Sequence, residues 1–437
     1  MAVALSPGWA PGTHAVPTRL LNRAPFISTT TSRRASTHSG KRNFSRSRPA
    51  CGQARRLFGK AALRKKAVET LQELVENDLT HVTTALRKEF AEIEGTNLLI
   101  TGGGGFLGYY LVQSVLFWNE RRAASRPIHV VVVENYRRGA PDWLLALRRN
   151  RNLTLLEHDI SRPLPPDLPD FHYIIHAAGI ASPTYYRRHP IETMDTNING
   201  LRHLLEYARS RLATTDPVKG FLYYSSSEIY GDPLPGNIPT PEDYRGNVSC
   251  TGPRACYDES KRYGETLCVN FARQYGLPVR MARPFNNYGP GLKITDGRVI
   301  PDFAGDVLSG RDIVMLSDGS PKRTFCYAAD AIVGYYKVLV RGRPGEPYNI
   351  GVETPEISML GLAERIACLA RQLFNYGGKV VHGQSAEGDY LVDNPSRRCP
   401  VIAKARTELG YEPLTDIDEG LRRSLVWYSY NRNAAEA

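Results

Sequence analysis

The amino-acid sequence predicts an α/β fold, in which a doubly wound parallel sheet carries a smaller C-terminal substrate-binding lobe. Three observations support this prediction. Short apolar runs alternate with helical segments between residues 97 and 283, a glycine-rich stretch separates the first run from the first helix, and the chain becomes irregular and rich in Pro and Gly after residue 284. Such alternation is typical of parallel strands joined by crossover helices.

Each element follows from a local pattern. Strands are predicted at 97–100, 128–133, 153–157, 173–176, 221–225 and 279–283, and helices at about 109–118, 190–211 and 258–275. The predicted strands are short apolar runs, as expected for buried parallel strands. In a sheet of this kind, ligands bind at the carboxyl ends of the strands.

A glycine-rich turn connects the first predicted strand to the first helix. Gly102, Gly105 and Gly108 belong to this turn, with Phe106 and Leu107 between the last two. Glycines let the backbone approach a pyrophosphate, and the helix N-terminus then offers N–H groups and a positive dipole end. The stretch therefore predicts a Rossmann-type dinucleotide site.

An acidic residue follows the second predicted strand, about 25 residues after the glycines, where such sites hold ribose hydroxyls. It is Glu134, with Asn135 next to it. A carboxylate here would repel a 2′-phosphate, which predicts NAD rather than NADP. Other residues at strand ends are expected beside the same cofactor, namely Asp159, Ile160, Ala177, Ala178, Gly179 and Ser225.

Tyr257 and Lys261 are four residues apart and therefore lie on one face of a helix. A nearby ammonium stabilises a phenolate and lowers the pKa of a tyrosine toward that of a useful base. A serine hydroxyl from the stretch Ser225–Glu228, after the fifth predicted strand, can share a substrate hydroxyl with the tyrosine. The set predicts proton transfer at a hydroxyl group.

Charge is distributed unevenly along the 437 residues. The formal net charge is +12, but residues 1–68 hold 14 Lys and Arg and no acidic residue, and the remainder carries 42 basic and 44 acidic side chains. A basic tail on a nearly neutral body gives little support for nucleic-acid binding. Seven scattered cysteines fit a reducing compartment and predict no metal site. No stretch approaches the roughly 18 apolar residues of a membrane span.

The chain divides into four predicted segments. Residues 1–59 form a disordered basic tail, and 60–95 an amphipathic helix that is expected to pack on its own domain. Residues 96–284 form the NAD-binding domain, and 285–437 mainly the substrate-binding lobe, with segments returning to the sheet. We expect a cytoplasmic protein, with organellar import by the acid-free tail as the alternative.

From about residue 97 to 430, the chain resembles the extended short-chain dehydrogenase/reductase family, and within it the UDP-glucuronic acid decarboxylases, or UDP-xylose synthases. Six segments carry this resemblance: Ala181–Tyr186 (ASPTYY), Ser226–Pro233 (SSEIYGDP), Gly252–Arg262 (GPRACYDESKR), Arg283–Pro290 (RPFNNYGP), Asp296–Val299 (DGRV) and Arg323–Tyr327 (RTFCY). The third of them is far more specific than the glycine turn.

The resemblance implies an enzyme that retains NAD, oxidises a UDP-sugar at C4, releases the sugar carboxylate as carbon dioxide and finally restores its cofactor. The implied catalytic residues are Tyr257, Lys261, Ser226, Glu228 and Arg323. The residues implied to contact the substrate are Tyr186, Ser227, Glu228, Asn286, Arg298 and Arg323. Asn197 and Pro284 join the cofactor residues, together with Tyr257 and Lys261.

The resemblance also implies a homodimer, paired through the helix that bears Tyr257 and the helix after Asn197. The apolar side chains expected at that interface are Leu201, Leu204, Leu205, Leu267, Val269 and Phe271.

Ser227 favours decarboxylation among the reactions of the family. The 4,6-dehydratases that the chain resembles carry an acid at this position for the leaving hydroxyl, a role that serine cannot fill. A 4-epimerase or a 4,6-dehydratase is the alternative, since three features depart from the family pattern: Glu134 replaces Asp, Leu292 stands near a usual arginine, and Arg397–Val401 matches only partly. A non-catalytic NAD-binding regulator is the alternative from another class.

Overall fold

The computed structural model describes residues 70–385 and 392–431. The predicted tail at 1–59 and the predicted start of the first helix at 60–69 lie outside the described residues. The strands are β1 (Asn97–Thr101), β2 (His129–Glu134), β3 (Leu153–Glu157), β4 (Tyr173–His176), β5 (Gly220–Tyr224), β6 (Val279–Pro284), β7 (Asn287–Tyr288), β8 (Ile313–Met315), β9 (Lys322–Arg323), β10 (Cys326–Tyr327), β11 (Pro347–Ile350), β12 (Ile357–Ser358), β13 (Val380–His382) and β14 (Arg397–Arg398).

Helices surround these strands. They are α1 (Leu71–Ala85), α2 (Arg87–Glu92), α3 (Gly108–Arg121), α4 (Asp142–Ala146), α5 (Pro183–Arg188), α6 (Pro190–Asp195), α7 (Leu201–Ser210), α8 (Ala255–Tyr275), α9 (Val299–Leu308), α10 (Ala328–Arg341), α11 (Met359–Phe374), α12 (Ala403–Leu409) and α13 (Ile417–Tyr430). Among them, none combines the length and apolarity that a lipid bilayer requires.

A seven-stranded sheet lies at the centre, in the order β11-β6-β5-β4-β1-β2-β3, and every pairing in it is parallel. The strand order reverses between β1 and β4, which is the point where such sheets bind ligands. The predicted fold class is confirmed. β11 comes from the C-terminal half of the chain, while β12, β9 and β14 form a separate three-stranded sheet.

The core follows from the alternation of side chains along the buried strands. Leu98 and Ile100 of β1 belong to one apolar cluster, together with side chains from α1, α3 and α10. Leu99 of the same strand belongs to a second cluster, together with side chains from α7 and α8. Apolar residues at every position of the strand thus allow helices to cover both faces of the sheet.

The predicted interface residues on α7 and α8 mostly belong to this core. Leu201, Leu204 and Leu205 are fully buried in the second cluster, and Phe271 is nearly so. Their prediction as subunit contacts is wrong, because one face of each helix is needed to cover the sheet. The apolar side chains that these helices and α6 leave exposed are Ile191, Met194, Tyr263 and Tyr275.

The predicted helix at 190–211 is interrupted. Residues Thr196–Gly200 form a π-helical turn between α6 and α7. The turn directs the side chain of Asn197 inward, where Nδ2 donates a hydrogen bond to Ser260 Oγ at 2.8 Å. Such turns are often found at functional sites.

The predicted N-terminal helix is also divided in two, at Leu86, where φ is −102° and ψ is 15°. Thr70 caps α1 with a capping box to Glu73. Val82 precedes the break and Phe90 follows it, and both side chains are fully buried in the main core. Both helices therefore pack on the sheet-bearing domain, and the bend lets the apolar stripe follow its surface.

A buried carboxylate ties α1 to the rest of the domain. Asp78 is fully buried and accepts hydrogen bonds from the hydroxyls of Tyr110 and Tyr327, while Arg423 donates to its second oxygen. Burial raises the pKa of this carboxyl, and Arg423 and the two hydroxyls oppose the rise. One side chain thus joins α1 to α3, β10 and α13.

We predict that Asp78→Asn strongly destabilises the protein, because it removes the charge opposite Arg423 and places an amide against hydroxyl donors. Breaking a buried ion pair typically costs about 3–5 kcal/mol. The matched control is Glu76→Gln on the same helix, whose pair with Arg121 is about half exposed and should contribute less than about 1 kcal/mol. Chemical denaturation measures both, and equal losses would contradict the prediction.

Candidate active site

One cavity opens at the carboxyl edge of the sheet, with a volume of about 1320 Å³. Its wall contains most of the predicted cofactor residues, namely Gly102, Gly105, Phe106, Leu107, Gly108, Glu134, Asn135, Ile160, Ala177, Ala178, Gly179, Ser225, Tyr257, Lys261 and Pro284. It also contains the remaining catalytic and substrate residues, namely Tyr186, Ser226, Ser227, Glu228, Asn286, Arg298 and Arg323. The fold therefore brings these residues to one place.

Asp159 and Asn197 are predicted cofactor residues that do not line this cavity. The Asp159 carboxylate accepts a hydrogen bond from the Ser161 backbone N–H at 3.0 Å and so turns back on its own loop. Asn197 lies behind Gly179, where a Cβ would come within 2.6 Å of Asn197 Oδ1. That oxygen is buried without a hydrogen-bond partner in the described part of the chain.

The turn after β1 requires its glycines. Gly102 has a φ of +74°, and a Cβ there would lie 2.6 Å from the Ala178 Cα atom. A Cβ on Gly108 would lie 2.1 Å from the Gly103 carbonyl oxygen. Strand, turn and helix therefore approach one another closely and leave a cradle of backbone at the start of α3, as a bound pyrophosphate requires.

Glu134 ends β2 beside this cradle. Its carboxylate accepts hydrogen bonds from the N–H groups of Gly104, at 3.1 Å, and Asn135, at 3.2 Å. Burial raises the pKa of Glu134, and these backbone donors oppose the rise. A fixed carboxylate next to a phosphate cradle fits the ribose of a dinucleotide without a 2′-phosphate.

Tyr257 and Lys261 lie one turn apart on α8, as predicted. The ring of Tyr257 stacks on that of Tyr186, with centroids 5.1 Å apart and 9° between the planes. Lys261 Nζ lies 5.7 Å from the Tyr257 ring centroid and donates a hydrogen bond to the Tyr224 carbonyl at 2.8 Å. Stacking thus fixes the direction of the phenol.

Burial dominates the acid–base properties of this pair. It raises the pKa of Tyr257 to about 12, although a hydrogen bond with the Ser226 hydroxyl acts in the opposite direction. It lowers the pKa of Lys261 to about 7. A cationic group brought next to the phenol would favour its ionised form.

The three serines after β5 face different partners. Ser226 Oγ accepts a hydrogen bond from the Glu228 N–H at 3.1 Å, and Ser227 Oγ lies 3.5 Å from Arg398 Nη1. Ser225 Oγ instead donates to Glu265 at 2.5 Å. The Ser225 hydroxyl is therefore engaged by the protein itself.

Glu228 is held between two buried arginines. Arg254 Nη2 donates to one carboxylate oxygen and Arg398 Nη1 to the other. Burial opposes ionisation of Glu228, but the two guanidinium groups outweigh it and lower the pKa to about 2. Asp258 lies 3.7 Å from Arg254 Nε, and burial raises its pKa to about 7. At neutral pH, Glu228 is therefore a carboxylate and not a proton donor.

Arg323 is buried beside this cluster. It donates hydrogen bonds to the carbonyls of Lys322, at 2.8 Å, and Pro395, and it forms no ion pair within residues 70–385 and 392–431. Burial and the neighbouring Arg398 lower its pKa to about 10. The cluster thus contains a guanidinium group that no carboxylate of the described chain neutralises directly.

Asn286 and Arg298 also line the cavity. Asn286 has a φ of +41° and donates from Nδ2 to the Thr324 carbonyl at 2.9 Å. Arg298 Nε lies 3.0 Å from Asp296 Oδ1. Arg138, from the loop after β2, lies 3.1 Å from the second oxygen of the same carboxylate.

Sequence reasoning did not assign Arg254, Arg398 or Arg138 to the site. Arg254 lies inside the most specific motif, and Arg398 lies inside a segment that departs from the family pattern. The signal that could have found them is a charge in a segment expected to be buried, since buried charges need partners. Nothing in the loop after β2 indicates that Arg138 reaches the opposite wall.

The parallel sheet, the glycine cradle and the Ser226–Tyr257–Lys261 arrangement define a Rossmann-type oxidoreductase-like enzyme with a dinucleotide cofactor. The profile of the NAD dependent epimerase/dehydratase family matches residues 98–351. The chain belongs to this family, which confirms the resemblance seen in the sequence and the prediction of NAD. Among the described residues, no group of three or more His, Cys, Asp or Glu side chains is placed to hold a metal ion.

Among individual relatives, the chain is similar to several UDP-glucuronic acid decarboxylases. UDP-glucuronic acid decarboxylase 5 of Arabidopsis thaliana is 37% identical over 324 residues, which cover 74% of this chain and 86% of the relative. UDP-glucuronic acid decarboxylase 1 of Xenopus tropicalis is 34% identical over 345 residues, which cover 78% of this chain and 74% of the relative.

Solved structures agree with the fold. UDP-glucose 4-epimerase of Thermotoga maritima matches with a TM-score of 0.64 and 26% identity, over 77% of this chain and 100% of that chain. A dTDP-glucose 4,6-dehydratase of Streptomyces venezuelae, solved with NAD bound, matches with a TM-score of 0.65 and 26% identity, over 77% and 98% of the two chains.

We predict that Glu134→Ala lowers NAD⁺ affinity about tenfold, the usual effect of losing a hydrogen bond to a charged group, and reduces the preference for NAD⁺ over NADP⁺. The control is Glu157→Ala, since Glu157 pairs with Glu134 in register but is exposed at the end of β3. Titration calorimetry with both dinucleotides measures the effect. An unchanged preference in Glu134→Ala would remove Glu134 from cofactor selection.

Proposed function

We propose that this protein decarboxylates UDP-glucuronate to UDP-xylose through a 4-keto intermediate, with NAD as a retained cofactor. The observation that carries the proposal is the arginine cluster at the sugar end of the cavity. Arg254, Arg398 and Arg323 are all less than one-tenth exposed, and Glu228 directly neutralises only the first two. Within residues 70–385 and 392–431, Arg323 has no carboxylate of its own, and such a buried guanidinium suits a substrate that brings one.

The cofactor would be held by the cradle after β1 and by Glu134, with Asp159 and Asn197 supporting the surrounding loops. When bound, NAD supplies the reversible oxidation at C4 of the sugar. We assign residues 96–284 mainly to cofactor binding and 285–437 mainly to substrate binding, with β11 returning to the sheet.

Tyr257 is the base in this proposal. Its phenol is held by stacking on Tyr186 and by hydrogen bonding with Ser226, so that both hydroxyls can meet one oxygen at C4. Lys261 lies within 5.7 Å of the Tyr257 ring centroid, and as an ammonium it would favour the phenolate. Together they accept the proton of the C4 hydroxyl and later return it.

Loss of carbon dioxide needs little further chemistry. With a ketone at C4, the carboxylate on C5 belongs to a β-keto acid. The C5–C6 bond breaks, C6 leaves as carbon dioxide, and the electron pair moves toward the C4 ketone to give an enolate. C5 then takes up from solvent the one proton that the overall reaction consumes. Arg323 stabilises the carboxylate and the developing enolate, since an arginine near an anion stays charged. Glu228 positions Arg254 and Arg398, because each guanidinium donates to one of its two carboxylate oxygens.

Dehydration is disfavoured by Ser227. Elimination of water needs a positioned acid for the leaving hydroxyl. Ser227 has no acidic proton at neutral pH, and its hydroxyl lies 3.5 Å from the Arg398 guanidinium. A 4-epimerase is the other alternative. Epimerisation at C4 retains the sugar carboxylate, so it gives the arginine cluster no role in the reaction itself.

The decisive experiment incubates the purified protein with UDP-glucuronate and NAD⁺ and identifies the product by mass spectrometry. We expect a UDP-pentose, carbon dioxide and no net consumption of NAD⁺. UDP-galacturonate as the product would overturn decarboxylation in favour of epimerisation. A 4-keto-6-deoxy sugar made from UDP- or dTDP-glucose would show that the interpretation of Ser227 is wrong.

Two variants assign roles within this reaction. Tyr257→Phe should lower turnover by about 10²–10⁴-fold, the usual contribution of a general base, and leave NAD⁺ binding intact. Tyr263→Phe, on an exposed position of the same helix, is its control. Arg323→Ala should slow decarboxylation far more than it weakens NAD⁺ binding, whereas Lys322→Ala, its exposed neighbour on β9, should change neither. Near-normal turnover in Tyr257→Phe would contradict its assignment as the base.

We also propose that the protein forms a homodimer through α6 and α8 and resides in the cytoplasm. Ile191, Met194 and Tyr263 leave an exposed apolar surface on these helices, with Ile191 65% exposed. The described cysteines are free thiols, which suits a reducing compartment.

We expect a dimeric mass by light scattering at micromolar concentration. The double substitution Met194→Glu and Tyr263→Glu should give monomers, because charges placed in an apolar contact are desolvated without partners. Leu414→Glu, at a position 70% exposed on another element, is the control. A monomeric mass for the unmodified protein would contradict the proposal.

A further inference from the structure

Arg138 reaches across the cavity from the loop after β2 to the segment between β7 and α9. Its guanidinium lies 4.3 Å from the centroid of the Tyr185 ring and 3.1 Å from Asp296 Oδ2. Tyr185 is next to Tyr186, which stacks on Tyr257. Arg138 therefore lies between the cofactor-binding edge of the sheet and the residues around the reacting sugar.

Asp296 is the fixed point of this contact. Its side chain is 4% exposed, and its backbone carbonyl accepts a hydrogen bond from Ser182 Oγ at 2.6 Å. The carboxylate faces Arg138 on one oxygen and Arg298 on the other, at 3.1 Å and 3.0 Å. Two cations from different elements are thus aligned by one buried anion.

A third cation belongs to the same group. Lys293 Nζ donates a hydrogen bond to the Arg138 backbone carbonyl at 2.5 Å. Burial and the neighbouring Arg138 lower the pKa of Lys293, as expected for cations crowded together. Arg138, Lys293 and Arg298 all line the cavity, and Asp296 is the carboxylate that lies close to both arginines.

A purely structural ion pair would not need this arrangement. One arginine satisfies one carboxylate, and a second and third cation add repulsion unless an anion joins them. The Arg138 side chain is 36% exposed and that of Arg298 31% exposed. Within the described residues, Arg138 donates only from Nη1, to Asp296, whereas Arg298 Nη2 donates to the Ala181 carbonyl at 3.4 Å. The remaining N–H groups form the planar fork that binds phosphate oxygens in pairs.

We infer that Arg138 and Lys293 complete, with Arg298, a diphosphate subsite aligned by Asp296. This inference rests on the proposed function for its nucleotide-sugar ligand. The same chemistry is offered by the diphosphate of a UDP-sugar and by that of NAD. Arg138 is then a residue that sets affinity for the diphosphate, and the cation expected near Leu292 is supplied from a different loop.

Binding to the full-length protein tests the inference without turnover. Calorimetry compares UDP, uridine and NAD⁺ on the unmodified protein, Arg138→Ala and Arg138→Lys, with the exposed Arg149→Ala as control. If the subsite takes the sugar nucleotide, Arg138→Ala weakens UDP binding at least about tenfold and leaves uridine and NAD⁺ unchanged. If it takes the cofactor, NAD⁺ binding is weakened instead.

Arg138→Lys keeps the charge but loses the planar fork, so its affinity for the diphosphate ligand should lie between those of the unmodified protein and Arg138→Ala. It also replaces Arg138→Ala in the test if that variant fails to fold. The salt dependence of diphosphate binding should also decrease without Arg138. The inference is overturned if UDP and NAD⁺ affinities both stay within about twofold in both variants. Because no reaction is measured, failure of the proposed decarboxylation would leave this result interpretable.

Discussion

The Glu228 carboxylate, bound by Arg254 and Arg398, is the interaction on which the geometry of the site depends. Arg254 precedes Tyr257 by three residues at the start of α8, and Arg398 pairs in register with Arg323 across β14 and β9. One carboxylate therefore sets the distance between Tyr257, the proposed base, and Arg323, the proposed partner of the sugar carboxylate. Neither element could move without breaking a buried charged hydrogen bond, which is costly when one partner is left alone.

Burying the ionisable groups of the candidate site is unfavourable for the stability of the protein. Tyr257 with its pKa near 12 and Lys261 with its pKa near 7 are both shifted by burial away from their charged forms. Arg323 is likewise buried without an ion-pair partner in the described chain. Such groups are unfavourable until charges of the bound ligands compensate them, and this is why they point to function more clearly than a surface cluster would.

The sequence predicts those parts of the molecule that local chemistry determines. Apolar runs locate β1 to β6, and the need for close backbone approach locates Gly102 and Gly108. It does not predict contacts between distant segments, such as Arg398 with Glu228 or Arg138 with Asp296, because no local pattern specifies a partner about 160 to 170 residues away. The prediction that the leucines on α7 contact a second subunit was wrong for a related reason, since periodicity identifies an apolar face but not what covers it.

The Asp78 linkage has an evolutionary consequence. Helices α1 and α2 precede the segment that the family profile matches, yet the buried carboxylate of Asp78 on α1 satisfies Tyr110 and Tyr327 inside that segment. Deleting the helices would leave two hydroxyls in the interior and Arg423 without its buried partner. Replacing both tyrosines by phenylalanine would remove the two hydroxyls but not the apolar core that Val82 and Phe90 complete, so these helices are difficult to remove by single steps.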